Sequence, residues 1–210
     1  MQLDTASHEW SHLIRAMSLQ PGPDASQTVD NGPHNPLKSQ IARAITGCNH
    51  ARAGLLREIE DPCYRFCLSL LTNPDAARDA TQETALRVLR SLARYRGDAA
   101  FTTWALSIAL NVCREHRRRR RWAGLPLGWS SADPAPGPHA QADASEQSDR
   151  LRQAIEGLPP RQQEAVTLRY LQGLSTKQTA QAMRCAEGTV KATLAKALKA
   201  LRKQWGQDDV

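Results

Sequence analysis

The chain has 210 residues, and its 28 lysines and arginines exceed its 21 aspartates and glutamates to give a net charge of +7. This length allows one domain or two small ones. The basic charge favours an acidic partner, although it does not separate nucleic acid from an anionic membrane surface. Because no long apolar stretch and no signal-like N-terminus occur, we expect neither a transmembrane helix nor secretion, and therefore a cytoplasmic location.

The five cysteines do not form a disulfide framework in the sequence. Their number is odd and no C-x-x-C pair exists, which favours reduced thiols. Cys63 and Cys67 lie one helical turn apart, but a metal site would need four converging ligands. We therefore expect buried cysteines that act as small apolar residues, and we predict no metal site and no cofactor.

Residues 1–36 are predicted to be an N-terminal tail. Trp10, Leu13, Ile14 and Met17 share one helical face, which suits a short helix. The stretch that follows is rich in Pro, Gly, Asn and Asp, and such a composition buries too little apolar surface to order itself.

Apolar residues return at helical spacing from Leu37 onward. Asp61-Pro62 predicts a new or kinked helix, with Asp61 as the N-cap and Pro62 in the first turn. Asn73-Pro74-Asp75 repeats this signal, and no alternating run is long enough for a strand. The sequence predicts an all-α fold of two small helical domains joined by a flexible linker.

The helix predicted after Asn73 has two different faces. Its apolar residues should point toward a core, and these are Ala80, Leu86, Leu89 and Leu92. Its opposite face should expose four polar residues, which are Asp79, Gln82, Glu83 and Arg87.

The stretch from Ala93 to Trp122 combines a turn, a helix and a cationic run. Gly97 supplies backbone freedom in the turn, Phe101 to Val112 has helical spacing, and residues 117–121 are all arginine. Cations bind phosphates, while aromatic rings and polar groups contact unstacked bases. This pattern therefore favours binding of a single nucleic-acid strand. The alternative is a surface loop, an amphipathic helix and a solvated basic end.

Residues 123–147 are predicted to be a Pro-rich linker. Its second half is acidic, in contrast to the arginine run before it. The segment is either a solvated tether or a strand that occupies a channel in a partner.

Residues 148–205 predict a second helical unit that contains a helix-turn-helix. Ser175 is the expected N-cap of the first helix, small Ala180 permits close packing, and Val190 fills the wedge between the helices. Arg184 occupies the turn, where it either takes a left-handed backbone at a cost of about 1 kcal/mol or accompanies a different turn and reaches a phosphate. The last helix should offer its first turns to a DNA groove through Glu187, Thr189, Lys191, Ala192 and Lys196.

Four motifs in this order resemble those of bacterial RNA polymerase sigma factors of the extracytoplasmic-function (ECF) group, within the sigma-70 family. They are NPDAARDATQET (73–84), RYRGDAAFTTWALSIALN (94–111), LPPRQQEAVTLRYLQGLS (158–175) and EGTVKATLAKALKALR (187–202). The resemblance implies sigma region 2 at 37–122, the linker at 123–147, sigma region 4 at 148–205 and a C-terminal tail at 206–210.

The resemblance also implies partners and sites. The partners would be core RNA polymerase, through its β′ clamp helices and β flap, promoter DNA, and in some members an anti-sigma factor. Core polymerase would be contacted by Asp79, Gln82, Glu83 and Arg87. The −10 element would be contacted and opened by Arg96, Asp98, Phe101, Asn111, Arg114, Arg117 and Arg118. The −35 element would be read by Arg184, Glu187, Thr189, Lys191, Ala192 and Lys196. The linker would thread the RNA-exit channel, and Phe101 could instead belong mostly to the core.

Two other classes of protein were weighed. A stand-alone helix-turn-helix regulator would use the C-terminal motif alone, and it would not need the polar face that includes Asp79, Gln82 and Glu83. An enzyme is not expected, because no nucleophile triad, phosphate-cradling glycine loop or paired catalytic carboxylates are evident.

Overall fold

The computed structural model describes residues 36–122 and 151–205, and within these ranges the regular structure is helical throughout, as predicted. The predictions for the N-terminal tail, the linker and the C-terminal tail lie outside the described residues. Among the described helices, none is both long enough and apolar enough to cross a bilayer.

The first unit is built from four α-helices and one short 3₁₀ turn. The helices are α1 (Pro36–Ile45), α2 (Asn49–Leu71), α3 (Pro74–Ser91) and α4 (Phe101–Trp122), and the 3₁₀ turn is Leu92–Arg94. Helices α2, α3 and α4 pack on one another, and α1 packs on α2. Their core contains fully buried large side chains, including Leu55, Phe66, Val88, Phe101 and Leu110. Burial of each such side chain favours folding by about 1.5–3 kcal/mol.

The start of α3 follows the local signal in the sequence. The Asn73 side chain accepts a hydrogen bond from the Ala76 backbone N–H at 2.8 Å, and Pro74 occupies the first turn. This cap satisfies a backbone donor that has no partner within the helix, and it confirms the expected helix start.

Of the two outcomes expected at Asp61-Pro62, the new helix is wrong, because α2 runs from Asn49 to Leu71 with Pro62 inside it. A proline inside a helix removes one backbone hydrogen bond and costs about 3 kcal/mol. The apolar face continues on both sides of it, with Leu55, Ile59, Phe66 and Leu70 all buried. This continuous packing outweighs the local penalty.

The inward face predicted for α3 is correct for Ala80 and Leu92, which are buried, and wrong for Leu86, which is 48% exposed. Thr84 and Val88 fill the core instead, since positions 80, 84 and 88 follow the i, i+4 spacing of one helical face. Leu86 lies two positions from Thr84 and two from Val88, and therefore points away from the core.

The second unit begins with a helical stretch at 151–156 (α5). It continues through α6 (Pro160–Val166), a π-helical turn (Thr167–Leu171), α7 (Thr176–Met183) and α8 (Glu187–Trp205). The apolar residues Leu151 and Ile155 of α5, and Val190 and Leu201 of α8, are buried.

Candidate nucleic-acid interface

The predicted polar face of α3 is accessible at its centre. Asp79 and Gln82 are exposed, while Glu83 and Arg87 are partly buried. Arg87 donates through Nε to Glu83 at 2.7 Å and through both terminal nitrogens to Glu115 on α4 at 2.8 and 2.7 Å. Arg87 therefore fixes Glu83 on the surface and also joins α3 to α4.

The same network sets the ionisation of its carboxylates. Hydrogen bonds from Arg87 lower the pKa of Glu83 and of Glu115 below the ordinary glutamate value, because they stabilise the charged form. Sequence reasoning missed Glu115, which lies 28 residues from Arg87 and belongs to no recognisable local motif.

The loop before α4 separates accessible polar groups from buried rings. Gly97 has a φ of +81°, and Arg96 and Asp98 are exposed beside it. Phe101 is only 1% exposed, with the Tyr95 ring edge-on at a centroid distance of 5.5 Å. The structure thus places Phe101 in the core, the alternative weighed for it, and leaves Arg96 and Asp98 free to meet a ligand.

The cations of α4 fall into two groups. Arg118 is exposed near the end of the helix, whereas Arg114 and Arg117 are partly buried against the second unit. Arg114 pairs with Glu164 of α6 and lies 3.5 Å from the Asn111 side-chain oxygen. Sequence reasoning identified the arginines but missed Gln163 and Glu164, the polar residues of α6 that meet them.

A cleft of about 620 Å³ lies where the two units meet. Arg118, Arg121 and Trp122 of α4 line one side, and Leu158 and Pro160 of the second unit line the other. Trp122 is 86% exposed. The cleft therefore presents guanidinium groups and one indole ring to anything that enters it.

The helix-turn-helix has the predicted local structure. Ser175 and Gln178 form a reciprocal capping box at the start of α7, with distances of 3.1 and 2.8 Å. Ala180 and Val190 are buried between the helices, and the Cys185 backbone N–H donates to the Ala180 carbonyl at 3.0 Å. The tight turn thereby fixes the direction in which α8 leaves α7.

Arg184 adopts the left-handed backbone, with a φ of +53°, so the first of the two alternatives for this turn is the correct one. Its side chain is exposed, and the other five predicted −35 residues are exposed on α8 as well. All six predicted residues are therefore accessible to a partner, namely Arg184, Glu187, Thr189, Lys191, Ala192 and Lys196.

The described cysteines are all free thiols. Cys63, Cys67 and Cys113 are buried in the first unit, and the Cys67 and Cys113 sulfurs lie 3.6 Å apart. Burial raises the pKa of the Cys63 thiol, which disfavours its reactive thiolate form. These residues have the small apolar core role expected from the sequence.

Comparison with known families defines the class of this protein. Residues 55–123 match the family model described as Sigma-70 region 2, and residues 148–201 match the model described as Sigma-70, region 4. The chain belongs to the sigma-70 family of RNA polymerase sigma factors, in the ECF group. Sigma factors are non-catalytic initiation factors. This one binds core RNA polymerase and directs promoter-specific initiation by recognising −10 and −35 elements and assisting DNA melting.

Particular relatives cover both units. The RNA polymerase sigma-H factor of Pseudomonas aeruginosa is 33% identical over 174 residues, which is 78% of this chain and 90% of the relative. The ECF RNA polymerase sigma factor SigD of Mycobacterium tuberculosis is 30% identical over 177 residues, covering 79% of this chain and 82% of SigD. Because both matches span the two units, they favour a sigma factor over a regulator that uses only a helix-turn-helix.

Solved structures share the fold. The structure of CnrH in complex with the cytosolic domain of CnrY matches with a TM-score of 0.63 at 18% identity, covering 83% of this chain and 100% of that one. The sigma factor RpoE in complex with the anti-sigma factor NepR, from Bartonella quintana, matches with a TM-score of 0.57 at 23% identity, covering 70% and 92%.

Proposed function

We propose that three surfaces of this sigma factor bind three different targets. The α3 face of Asp79, Gln82, Glu83 and Arg87 binds core polymerase. The loop residues Arg96 and Asp98, with Asn111 and the arginines of α4, hold the −10 strand. The exposed residues of the turn and α8 bind the −35 duplex.

The observation that carries the −35 assignment is the placement of α8 beyond the tight turn. Val190 and Leu201 are buried in the core of the second unit, while Lys191 and Lys196 are exposed on the part of the helix that lies outside it. A second helix held in this way is the element that enters the major groove in helix-turn-helix proteins, with its N-terminal residues nearest the base edges.

The −10 assignment rests on charge and on the loop. Melted DNA needs cations for its phosphates and polar groups for its bases. Arg96, Asp98 and Arg118 are exposed on the same unit, and the buried Phe101 ring packs against the Tyr95 ring next to the loop. Phe101 thus acts by holding the loop in place, with direct DNA contact left to its neighbours.

The α3 assignment predicts a direct test. Replacement of Gln82 and Glu83 together by alanine should reduce co-purification with core polymerase about tenfold or more. The reason is that loss of both polar side chains should cost at least about 1.4 kcal/mol of binding free energy, which corresponds to a tenfold rise in the dissociation constant. The helical content measured by circular dichroism should stay unchanged.

Glu60→Ala is the matched control, because it removes an exposed carboxylate from α2. Equal retention of the double variant and the control on immobilised polymerase would remove the docking role from α3.

The chain acts in the cytoplasm and carries no catalytic activity of its own, because its function is to supply DNA contacts to polymerase. An anti-sigma factor is a fitting regulator, because the similar RpoE structure holds a sigma factor in complex with one.

A further inference from the structure

Two buried cysteines of the first unit face each other where α2 packs on α4. The Sγ atoms of Cys67 on α2 and Cys113 on α4 lie 3.6 Å apart, although the residues are 46 positions apart in sequence. Both side chains are fully buried. Because the sulfurs of a disulfide lie about 2.05 Å apart, an approach of roughly 1.5 Å would join the two helices covalently.

Cys63 is the other buried thiol of this unit, and it is a poor partner for Cys67. The two residues are one turn apart on α2. Residues at this spacing have Cβ atoms about 5–6 Å apart, whereas a disulfide needs about 3.5–4.5 Å. The geometry therefore favours a bond from Cys67 across to α4.

The contact also distinguishes the two thiols of the pair. The Cys113 S–H donates to the Cys67 sulfur. This hydrogen bond lowers the pKa of the Cys67 thiol and raises that of the Cys113 thiol, because it stabilises a thiolate at Cys67 while Cys113 keeps its proton. The thiolate is the nucleophilic form of cysteine, so Cys67 is the sulfur that reacts first.

The pair lies close to the cleft between the two units. Leu70 follows Cys67 by three residues, Arg117 follows Cys113 by four, and both Leu70 and Arg117 line the cleft. The Arg117 Nε–H donates to the Leu70 carbonyl at 3.0 Å. The thiols are therefore about one helical turn from the cleft wall, and a small oxidant needs only a local opening there to reach them.

We propose that Cys67 and Cys113 form a dithiol that peroxide oxidises to a disulfide between α2 and α4 in the folded chain. The Cys67 thiolate attacks hydrogen peroxide, so that an S–O bond forms and the O–O bond breaks. The hydroxide that leaves takes up the proton released by Cys67. The Cys113 sulfur then attacks the Cys67 sulfenic acid, the S–O bond breaks, and the Cys113 proton leaves with the hydroxyl group as water. In total, two thiols lose two electrons and one peroxide becomes two waters.

The disulfide would constrain the functional part of the first unit. The loop that it closes, residues 67–113, contains all of α3 (Pro74–Ser91) and the exposed residues Arg96 and Asp98. Such a cross-link limits the unfolded chain. The midpoint of thermal unfolding should therefore rise by roughly 5 °C or more on oxidation.

Peptide mapping of the full-length chain tests the pairing directly. The reduced chain is treated with hydrogen peroxide, its remaining thiols are alkylated, and it is digested with trypsin. Cleavage after Arg65, Arg78, Arg96 and Arg114 places Cys67 in peptide 66–78 and Cys113 in peptide 97–114, and leaves Cys63 in a separate peptide. Mass spectrometry should find 66–78 linked to 97–114, and dithiothreitol should release the two peptides.

Serine variants separate the two roles. Cys113→Ser should abolish the link and leave Cys67 as a sulfenic acid that dimedone labels, whereas Cys67→Ser should leave Cys113 unlabelled. Cys63→Ser is the matched control, because it removes a buried thiol of the same helix and should keep the link. Cys48→Ser combined with Cys185→Ser removes the two partly exposed thiols and should keep it too. Circular dichroism verifies that each variant is folded.

Several results would overturn the proposal. Peroxide might modify Cys48 and Cys185 while peptides 66–78 and 97–114 stay reduced, or Cys67 might link to a different cysteine. A link that forms only after unfolding in urea would show that the folded contact does not direct it. An oxidised chain whose unfolding midpoint rises no more than that of peroxide-treated Cys113→Ser would reject the constraint on the first unit.

Discussion

Arg184 shows how one residue departs from the conformation that its side chain prefers. Its φ of +53° lies in the left-handed region, where a side chain costs about 1–2 kcal/mol relative to glycine. The guanidinium is exposed at the entrance to α8, and we propose that its contact with a DNA phosphate offsets this cost.

Arg184→Gly should therefore stabilise the second unit by about 1 kcal/mol while weakening −35 DNA binding. Arg184→Ala separates the two effects, because it removes the guanidinium but keeps the left-handed strain. Urea unfolding should rank Gly above Ala and the wild type. A glycine variant that is less stable than the alanine variant would contradict the strain argument.

The Arg87–Glu115 pair predicts a dependence of stability on pH. Its side chains are 29% and 30% exposed, so solvent screens the pair and its coupling free energy should be about 1 kcal/mol. Because the pKa of Glu115 is lowered in the folded state, the stabilisation by the ion pair is fully present above the pKa of an unfolded glutamate, about 4.3. This stabilisation is lost as the pH falls through the folded-state pKa of Glu115.

Arg87→Gln should therefore lower the free energy of unfolding at pH 7, and its difference from the wild type should shrink as the pH falls below about 4.3. Arg57→Gln, which removes an exposed cation of α2, is the control. Chemical denaturation across this pH range would refute the linkage if the difference for Arg87→Gln stayed constant.

At the scale of elements, local signals in the sequence located helix starts well. Asn73 and Ser175 are caps whose side chains bond backbone groups three residues away, so the sequence alone carries the information. Pro62 misled the same reasoning, since the buried face of α2 overrides its local preference. Leu86 was misassigned because simple apolar character does not say which of two neighbouring faces meets the core.

The orientation of α8 was predictable from its apolar spacing, and it carries a prediction. Replacing Lys191 and Lys196 by alanine should lower −35-dependent transcription several-fold and flatten its salt dependence, because fewer counterions are released on binding.

Lys38→Ala combined with Arg57→Ala removes the same number of exposed cations from α1 and α2. If this control pair lowers transcription as much as the α8 pair does, the effect is one of net charge, and the orientation of α8 in the groove is wrong.

At the scale of the whole molecule, the order of motifs was sufficient to predict two helical units and the class of protein. The contacts between the units were not predictable. Arg114 and Glu164 are 50 residues apart in sequence, and neither periodicity nor a capping rule connects them. The proposed −10 arginines thus have a second, intramolecular partner, which only the assembled fold displays.

Run-off transcription with purified core RNA polymerase on genomic fragments tests the central claim most directly. Addition of the chain should create new transcription start sites, each preceded by shared −10 and −35 sequences, and the Gln82 and Glu83 double variant should create fewer transcripts. Start sites that are identical with and without the chain would contradict the account.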